Sequence, residues 1–240
     1  MKKAFKRAAL GLAVALTFAG AVEWNGYHLF DRKDGTNLIS ETLKDSRQLT
    51  PGEIELAKGV FGDSIDYSKV RIFKRPWMLF FGSKNQIITP NGNIYVTDKE
   101  YQDDFSAKAS YAKTMFIHEM THVWQRQHGT AVRWEAVKGW ISSGFRYRTT
   151  YDYDIDKVTD FTRLGIEQQA NLVENYFSER ESLREMGPRE KLWTFQQQGF
   201  DESKAKVDKF ESKIGGSLPL PDRLHLDLPP PPPAPAPEAS

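Results

Sequence analysis

The sequence predicts an α+β fold in which a small β-sheet lies beside one chemistry-bearing helix and a mostly helical second half closes over it. Three observations carry that expectation. The run Met115-Phe116-Ile117-His118-Glu119-Met120-Thr121-His122-Val123-Trp124-Gln125 reads as helix and holds the pattern H-E-x-x-H. Ahead of it lie short alternating segments bounded by Pro and Gly. Behind it, from about Ile166 to Glu185, runs a long stretch of helical periodicity.

Composition narrows the chemistry. The 240 residues carry 33 Lys and Arg against 32 Asp and Glu, a balance that gives no pull toward nucleic acid. Cysteine is absent, which excludes a thiol nucleophile, a disulfide framework, a lipid-bearing cysteine and a Cys-ligated zinc. Histidine and carboxylate must therefore do any metal work.

Taken in order, Met1-Lys2-Lys3-Ala4-Phe5-Lys6-Arg7 is a basic start, and Ala8 to Val22 is an apolar run interrupted only by Thr17. The run is too short to span a bilayer comfortably. Ala19-Gly20-Ala21 has the small-x-small form of a cleavage site, so residues 1–21 are expected to be a secretory signal peptide, with a periplasmic or secreted product that keeps no stable membrane span. An uncleaved anchor is the alternative. Residues 22–217 are expected to form the folded domain. Leu218 to Ser240, with Pro219, Pro221, five prolines from Pro229 to Pro233, then Pro235 and Pro237, reads as a disordered tail that cannot pack, an extended spacer or bait for a partner's aromatic groove.

Within the domain, Asn37 to Leu43 suggests a short helix. Thr50-Pro51-Gly52-Glu53 is a capping box opening a helix that ends near Gly62. Tyr67 to Phe73 alternates as a strand, and Asn93 to Thr97 reads as a second one entered through the turn Pro90-Asn91-Gly92, with Met78 to Ile88 as connection or middle strand. A sheet edge beside the H-E-x-x-H helix could bind a peptide as an added strand. The segment from Trp134 to Tyr153 is dense in aromatics that suit a core or cleft wall. Arg189 to Gln198 should start a helix anchored by Leu192, Trp193 and Phe195, and Glu202 to Ile214 reads as a solvated outer helix.

Positions i and i+4 share a helix face, so His118 and His122 can place two imidazole nitrogens on one metal ion with Glu119 beside them. A catalytic Zn²⁺ takes three protein ligands and acidifies water for a neighbouring base. On the later helix Ile166, Ala170, Val173 and Phe177 form an apolar stripe, and Glu167, Asn171 and Glu174 an adjacent polar one. Glu167, in the first turn beside small Ala170, is the expected third ligand. Glu174 is expected to orient a ligating histidine. Tyr151, Tyr153 and His128 are unranked donors for an oxyanion, while His28 and His225 read as bystanders.

The succession Leu56 to Phe61, Gly62-Asp63, Val70-Arg71-Ile72, Asn93 to Val96 and Phe116 to Gln125 resembles the compact zincin domains, or minigluzincins, found with bacterial contractile-injection, Vgr and Rhs-type systems. Glu167-Gln168-Gln169-Ala170 with Val173-Glu174-Asn175-Tyr176 resembles the glutamate helix of their Vgr-related members. The resemblance spans roughly Leu56 to Phe177 and implies a zincin-like α+β fold and a gluzincin-type zinc metallopeptidase, with Glu167 as third ligand. A secretory signal and a proline tail depart from the large fusions usual in that family.

The expected function is zinc-dependent hydrolysis of peptide bonds in a peptide or protein substrate, with His118, His122 and Glu167 holding Zn²⁺ and Glu119 as general base and then acid. The alternatives are a zinc-stabilised adaptor of the cell envelope or secretion apparatus, whose tail meets a partner, and a secreted effector that cleaves cell-wall peptides.

Overall fold

The structure, a computed structural model, describes residues 46–75, 87–130 and 152–222. The expected signal peptide, the helix expected over 37–43, the aromatic stretch 131–151 and the proline run from 229 lie outside these. The chain divides into two compact units, 1–47 and 48–240.

The elements are β1 (Ser46–Gln48), α1 (Pro51–Phe61), β2 (Arg71–Phe73), β3 (Ile87–Ile88), β4 (Ile94–Val96), α2 (Ser110–Gln127), α3 (Ile166–Met186) and α4 (Thr194–Ile214). This is an α+β arrangement with a small mixed sheet in the order β1-β2-β4-β3. β2 and β4 run parallel with Ile72 opposite Ile94, and β3 is antiparallel to β4 with Ile88 opposite Tyr95.

Local chemistry explains where α1 begins and ends. Thr50 Oγ1 accepts the Glu53 amide at 3.1 Å and the Glu53 carboxylate accepts the Thr50 amide at 2.9 Å, so the expected capping box is present. Such a cap stabilises by about 1 kcal/mol. The second Glu53 oxygen accepts the Phe105 amide at 2.9 Å, which fastens the approach to α2 onto α1. Gly62 closes α1 at φ +53°, where a Cβ would meet the Pro219 ring at 3.2 Å.

The strand expected over Tyr67–Phe73 is shorter than its alternation suggests. Tyr67–Lys69 form a 3₁₀ turn, because Lys69 N donates to Asp66 O at 3.2 Å and the Tyr67 hydroxyl reaches back to Gly62 O at 2.7 Å. Of the expected connection or middle strand, Ile87–Ile88 are extended and sit on the outer side of β4. The Pro90-Asn91-Gly92 turn puts them there: Asn91 Oδ1 accepts the Asn93 amide at 3.2 Å, Gly92 takes φ +86°, and the chain doubles straight back.

α2 packs on α3, and α3 on α4. Phe116, Met120 and Val123 of α2 and Ile166, Ala170, Val173 and Phe177 of α3 are all buried. Each large apolar side chain so buried stabilises by about 1.5–3 kcal/mol.

The C-terminal third corrects four expectations. A 3₁₀ turn at Arg189–Lys191 precedes one continuous helix, α4, in place of two. Its stripe of Phe200, Val207, Phe210 and Ile214 is buried, so it is a core helix and not a solvated one. Trp193 and Phe195, expected as anchors, are 74% and 80% exposed. Trp193 is the N-cap, outside the first turn, Phe195 lies on the face opposite Phe200, and Leu192 alone of the three packs on the core. Packing also runs past residue 217: Leu218 and Leu220 are buried, Leu220 N donates to Val60 O at 3.0 Å and Asp222 N to Gly59 O at 3.3 Å. These carbonyls belong to the last turn of α1, which has no partners within its own helix. Among the described residues no helix is long and apolar enough to cross a membrane.

Candidate metal centre

His118, Glu119 and His122 lie on α2, and α3 enters opposite them with Glu167 in its first turn. All four side chains are buried. Glu167 Oε2 stands 3.5 Å from His118 Nε2 and 3.4 Å from His122 Nε2. One ligand atom from each of His118, His122 and Glu167 falls within 4.8 Å of the others. Two ligands at the ordinary Zn–N and Zn–O lengths of a tetrahedron stand about 3.3 Å apart, close to both Glu167–histidine distances, so the group could hold a zinc ion.

The far sides of both rings are already bonded. His118 Nδ1 lies 2.8 Å from Glu174 Oε2, and His122 Nδ1 lies 2.8 Å from Gln125 Oε1. A carboxylate can only accept, so Nδ1 of His118 carries the proton there. The Gln125 amide is fixed by what surrounds it: its Nε2 donates to Ile166 O and to Gln169 Oε1, both at 2.9 Å. Gln169 Nε2 in turn donates to Phe161 O at 3.2 Å and Leu164 O at 3.1 Å. With every amide hydrogen used, Gln125 Oε1 must accept from His122. In the neutral rings both Nε2 atoms are thereby the lone-pair donors facing Glu167, the tautomer a metal needs.

Electrostatics without a metal follow from the same contacts. Burial pulls the His118 imidazole down, but hydrogen bonds to Glu167 and Glu174 win and push it up to about 10. His122 is raised against the same opposing burial, chiefly by the charge of Glu167. Burial alone would raise Glu167, yet the two histidines hold it well below the usual carboxylate range. Glu119 goes the other way: burial raises it, only partly offset by His122, His118 and a hydrogen bond from Thr89. A metal ion would replace the proton that the three ligands now share.

Tyr153 lines a neighbouring cavity of about 510 Å³ with Asp152, Ile155, Asn171, Asn175 and Phe210, and its hydroxyl accepts from Asn175 Nδ2 at 2.7 Å. His128 sits exposed at the C-terminal end of α2, bonded to Trp124 O, away from the group. Tyr151 lies outside the described residues. Three contributors were missed by sequence reasoning: Gln125, Gln169 and Thr89. Gln125 has the helical i+3 spacing from His122 as its signal, while nothing local marks Gln169 or Thr89.

No family model matches the chain. It is similar to the type VI secretion system spike protein VgrG2b of Pseudomonas aeruginosa, with 39% identity over 140 residues, which is 58% of this chain and 14% of that protein. Among solved structures it is similar to the effector domain of Pseudomonas aeruginosa VgrG2b, at 29% identity and a TM-score of 0.58, over 88% of this chain and 96% of that domain. The chain thus spans a small fraction of the spike protein's length. These likenesses link it to the Vgr proteins through their effector domain.

Proposed function

We propose that this chain is a zinc-dependent metallopeptidase of the gluzincin type with a zincin-like fold, acting on peptide bonds outside the bacterial cytoplasm. The observation that carries the reading is the convergence of two correctly oriented imidazoles and the Glu167 carboxylate beside a buried, unligated Glu119. When bound, zinc would supply a Lewis acid that polarises a carbonyl and acidifies water.

The chain's own residues do the rest. His118, His122 and Glu167 hold the ion, and Glu174 and Gln125 keep the rings turned toward it. Glu119, kept more basic than an exposed carboxylate by burial, takes the proton of the attacking water and returns it to the departing amine. Among the described residues β3 ends the sheet, and an extended peptide would add along its outer edge. The likeness to a type VI effector domain supports an effector role, and the signal read in residues 1–21 supplies an export route with a product beginning at Val22. Exposed Trp193 and Phe195 favour a second reading, a zinc-stabilised binding module that meets a partner through them or through the proline tail.

The test is digestion of a proteome-derived peptide library by the wild-type chain, the Glu119→Gln variant and a chelated control, read by mass spectrometry. Cleavage by wild type, lost on chelation and lowered about 10²-fold or more in Glu119→Gln at unchanged zinc content, is expected. Wild type no better than the Glu119→Gln background would remove broad proteolysis and leave the binding module.

A further inference from the structure

Glu119 is 3% exposed, and the one hydrogen bond it accepts among the described residues comes from Thr89, whose Oγ1 donates to Oε2 at 2.7 Å. Thr89 is also 3% exposed. Its backbone is held from both sides, by the pairing of Ile88 with Tyr95 before it and by the Pro90-Asn91-Gly92 turn after it. Asn91 Nδ2 donates to the Tyr95 hydroxyl at 3.1 Å and closes that corner onto β4. A threonine hydroxyl has one hydrogen to give, and this one is spent on Glu119.

We propose that Thr89 is the positioning residue of the site: its hydroxyl holds Oε2 of Glu119 and leaves Oε1 as the atom that accepts the proton. A buried carboxylate with both oxygens free would turn about its last torsion, which is broad and roughly two-fold. The fixed hydroxyl removes that freedom and divides the two oxygens between anchoring and chemistry. It also places the anchor of the base on the residue that follows β3, so the sheet edge and Glu119 are held by one piece of chain. The catalytic part of this inference rests on the peptidase reading; the bond itself does not.

The test uses the full chain carrying Thr89→Val, which keeps shape but loses the hydroxyl, and Thr89→Ser, which keeps the hydroxyl. Thr89→Val should lower kcat about tenfold, equivalent to roughly 1.4 kcal/mol of barrier, with KM and zinc content unchanged. Thr89→Ser should restore most of it, and Thr89→Val should add nothing in a Glu119→Gln background. A second arm needs no activity. In metal-free protein Thr89→Val should lower the unfolding temperature by about 2–4 °C, whereas in a Glu119→Ala background it should leave it unchanged or raise it, the hydroxyl there having lost its acceptor. Equal losses in both backgrounds, or Val and Ser variants of equal activity, would overturn the proposal. If wild type hydrolyses nothing, the peptidase reading and the proton-accepting role of Oε1 fall together, and the unfolding arm alone decides whether Thr89 holds Glu119.

Discussion

The two histidines of the candidate site are oriented by different chemistry, a carboxylate behind His118 and an amide behind His122. Removing either support should loosen the ring without deleting a ligand. Glu174→Gln and Gln125→Leu are each expected to weaken zinc binding by about 10–100-fold, measured by competition with a chromogenic chelator. The protonated cluster also makes a pH statement about the metal-free protein. His118 is held at about 10 against an ordinary 6.5, so its stabilisation is complete below pH 6.5 and lost as pH rises through 10. Glu167, held low, contributes above its ordinary 4.5 and loses that contribution only in stronger acid. The cluster therefore stabilises most between about pH 4.5 and 6.5. The denaturation midpoint of chelated wild type should fall between pH 6.5 and 10 relative to that of His118→Ala, and the zinc-loaded protein should not follow it, because the ion replaces the proton.

Among the elements, α1 and α3 bring the site together by different means. Glu53 joins the first turn of α1 to the chain entering α2, through the amides of Thr50 and Phe105, from a fully buried position. Truncating it leaves one buried donor, the Phe105 amide, and one half-buried donor, the Thr50 amide, without this acceptor. Glu53→Ala should cost about 3 kcal/mol in urea unfolding, well above the loss from Thr50→Ala of about 1 kcal/mol. α3 is seated by the Gln125 and Gln169 amides, which tie its first turn and the segment before it to the histidine helix. Ala170, fully buried one turn after Glu167, has no room to spare. Ala170→Leu should cost about 1–3 kcal/mol and reduce zinc content, an outcome that elemental analysis would record.

At the scale of the molecule, the C-terminal segment is part of the core up to Leu220 and is bonded to α1 up to Asp222. Leu218 and Leu220 are buried, and two backbone bonds satisfy the end of α1. A chain stopped after Asp222 should match the full chain in unfolding free energy. One stopped after Ser217 should lose about 3–6 kcal/mol, the burial of two leucines. Metal should stabilise the whole fold by mass action, by about 4 kcal/mol at free zinc a thousandfold above its dissociation constant, and a calorimetric scan with and without chelator measures that difference.

What was legible in the sequence was whatever local periodicity encodes. The H-E-x-x-H spacing put His118, Glu119 and His122 on one turn of helix, the capping box set the start of α1, and the stripe from Ile166 to Phe177 set the face that α3 buries. Glu167 and Glu174 were readable because a second carboxylate stripe ran beside that apolar one. What only the tertiary structure decided depends on contacts between segments distant in sequence. Thr89 meets Glu119 from 30 residues away, Gln125 meets Gln169 across two helices, and neither pairing leaves a periodic trace. The same reason explains the overturned expectations. Trp193 and Phe195 are apolar enough for a core, but Trp193 is left outside the helix as its N-cap and the helix phase set by Phe200 and Phe210 turns Phe195 outward. Leu218 and Leu220 sit among prolines that argue against packing, yet Ile214 O at the end of α4 holds Leu218 and Val60 O at the end of α1 holds Leu220. Hydrophobicity says which residues gain by burial; the neighbouring elements decide which of them obtain it.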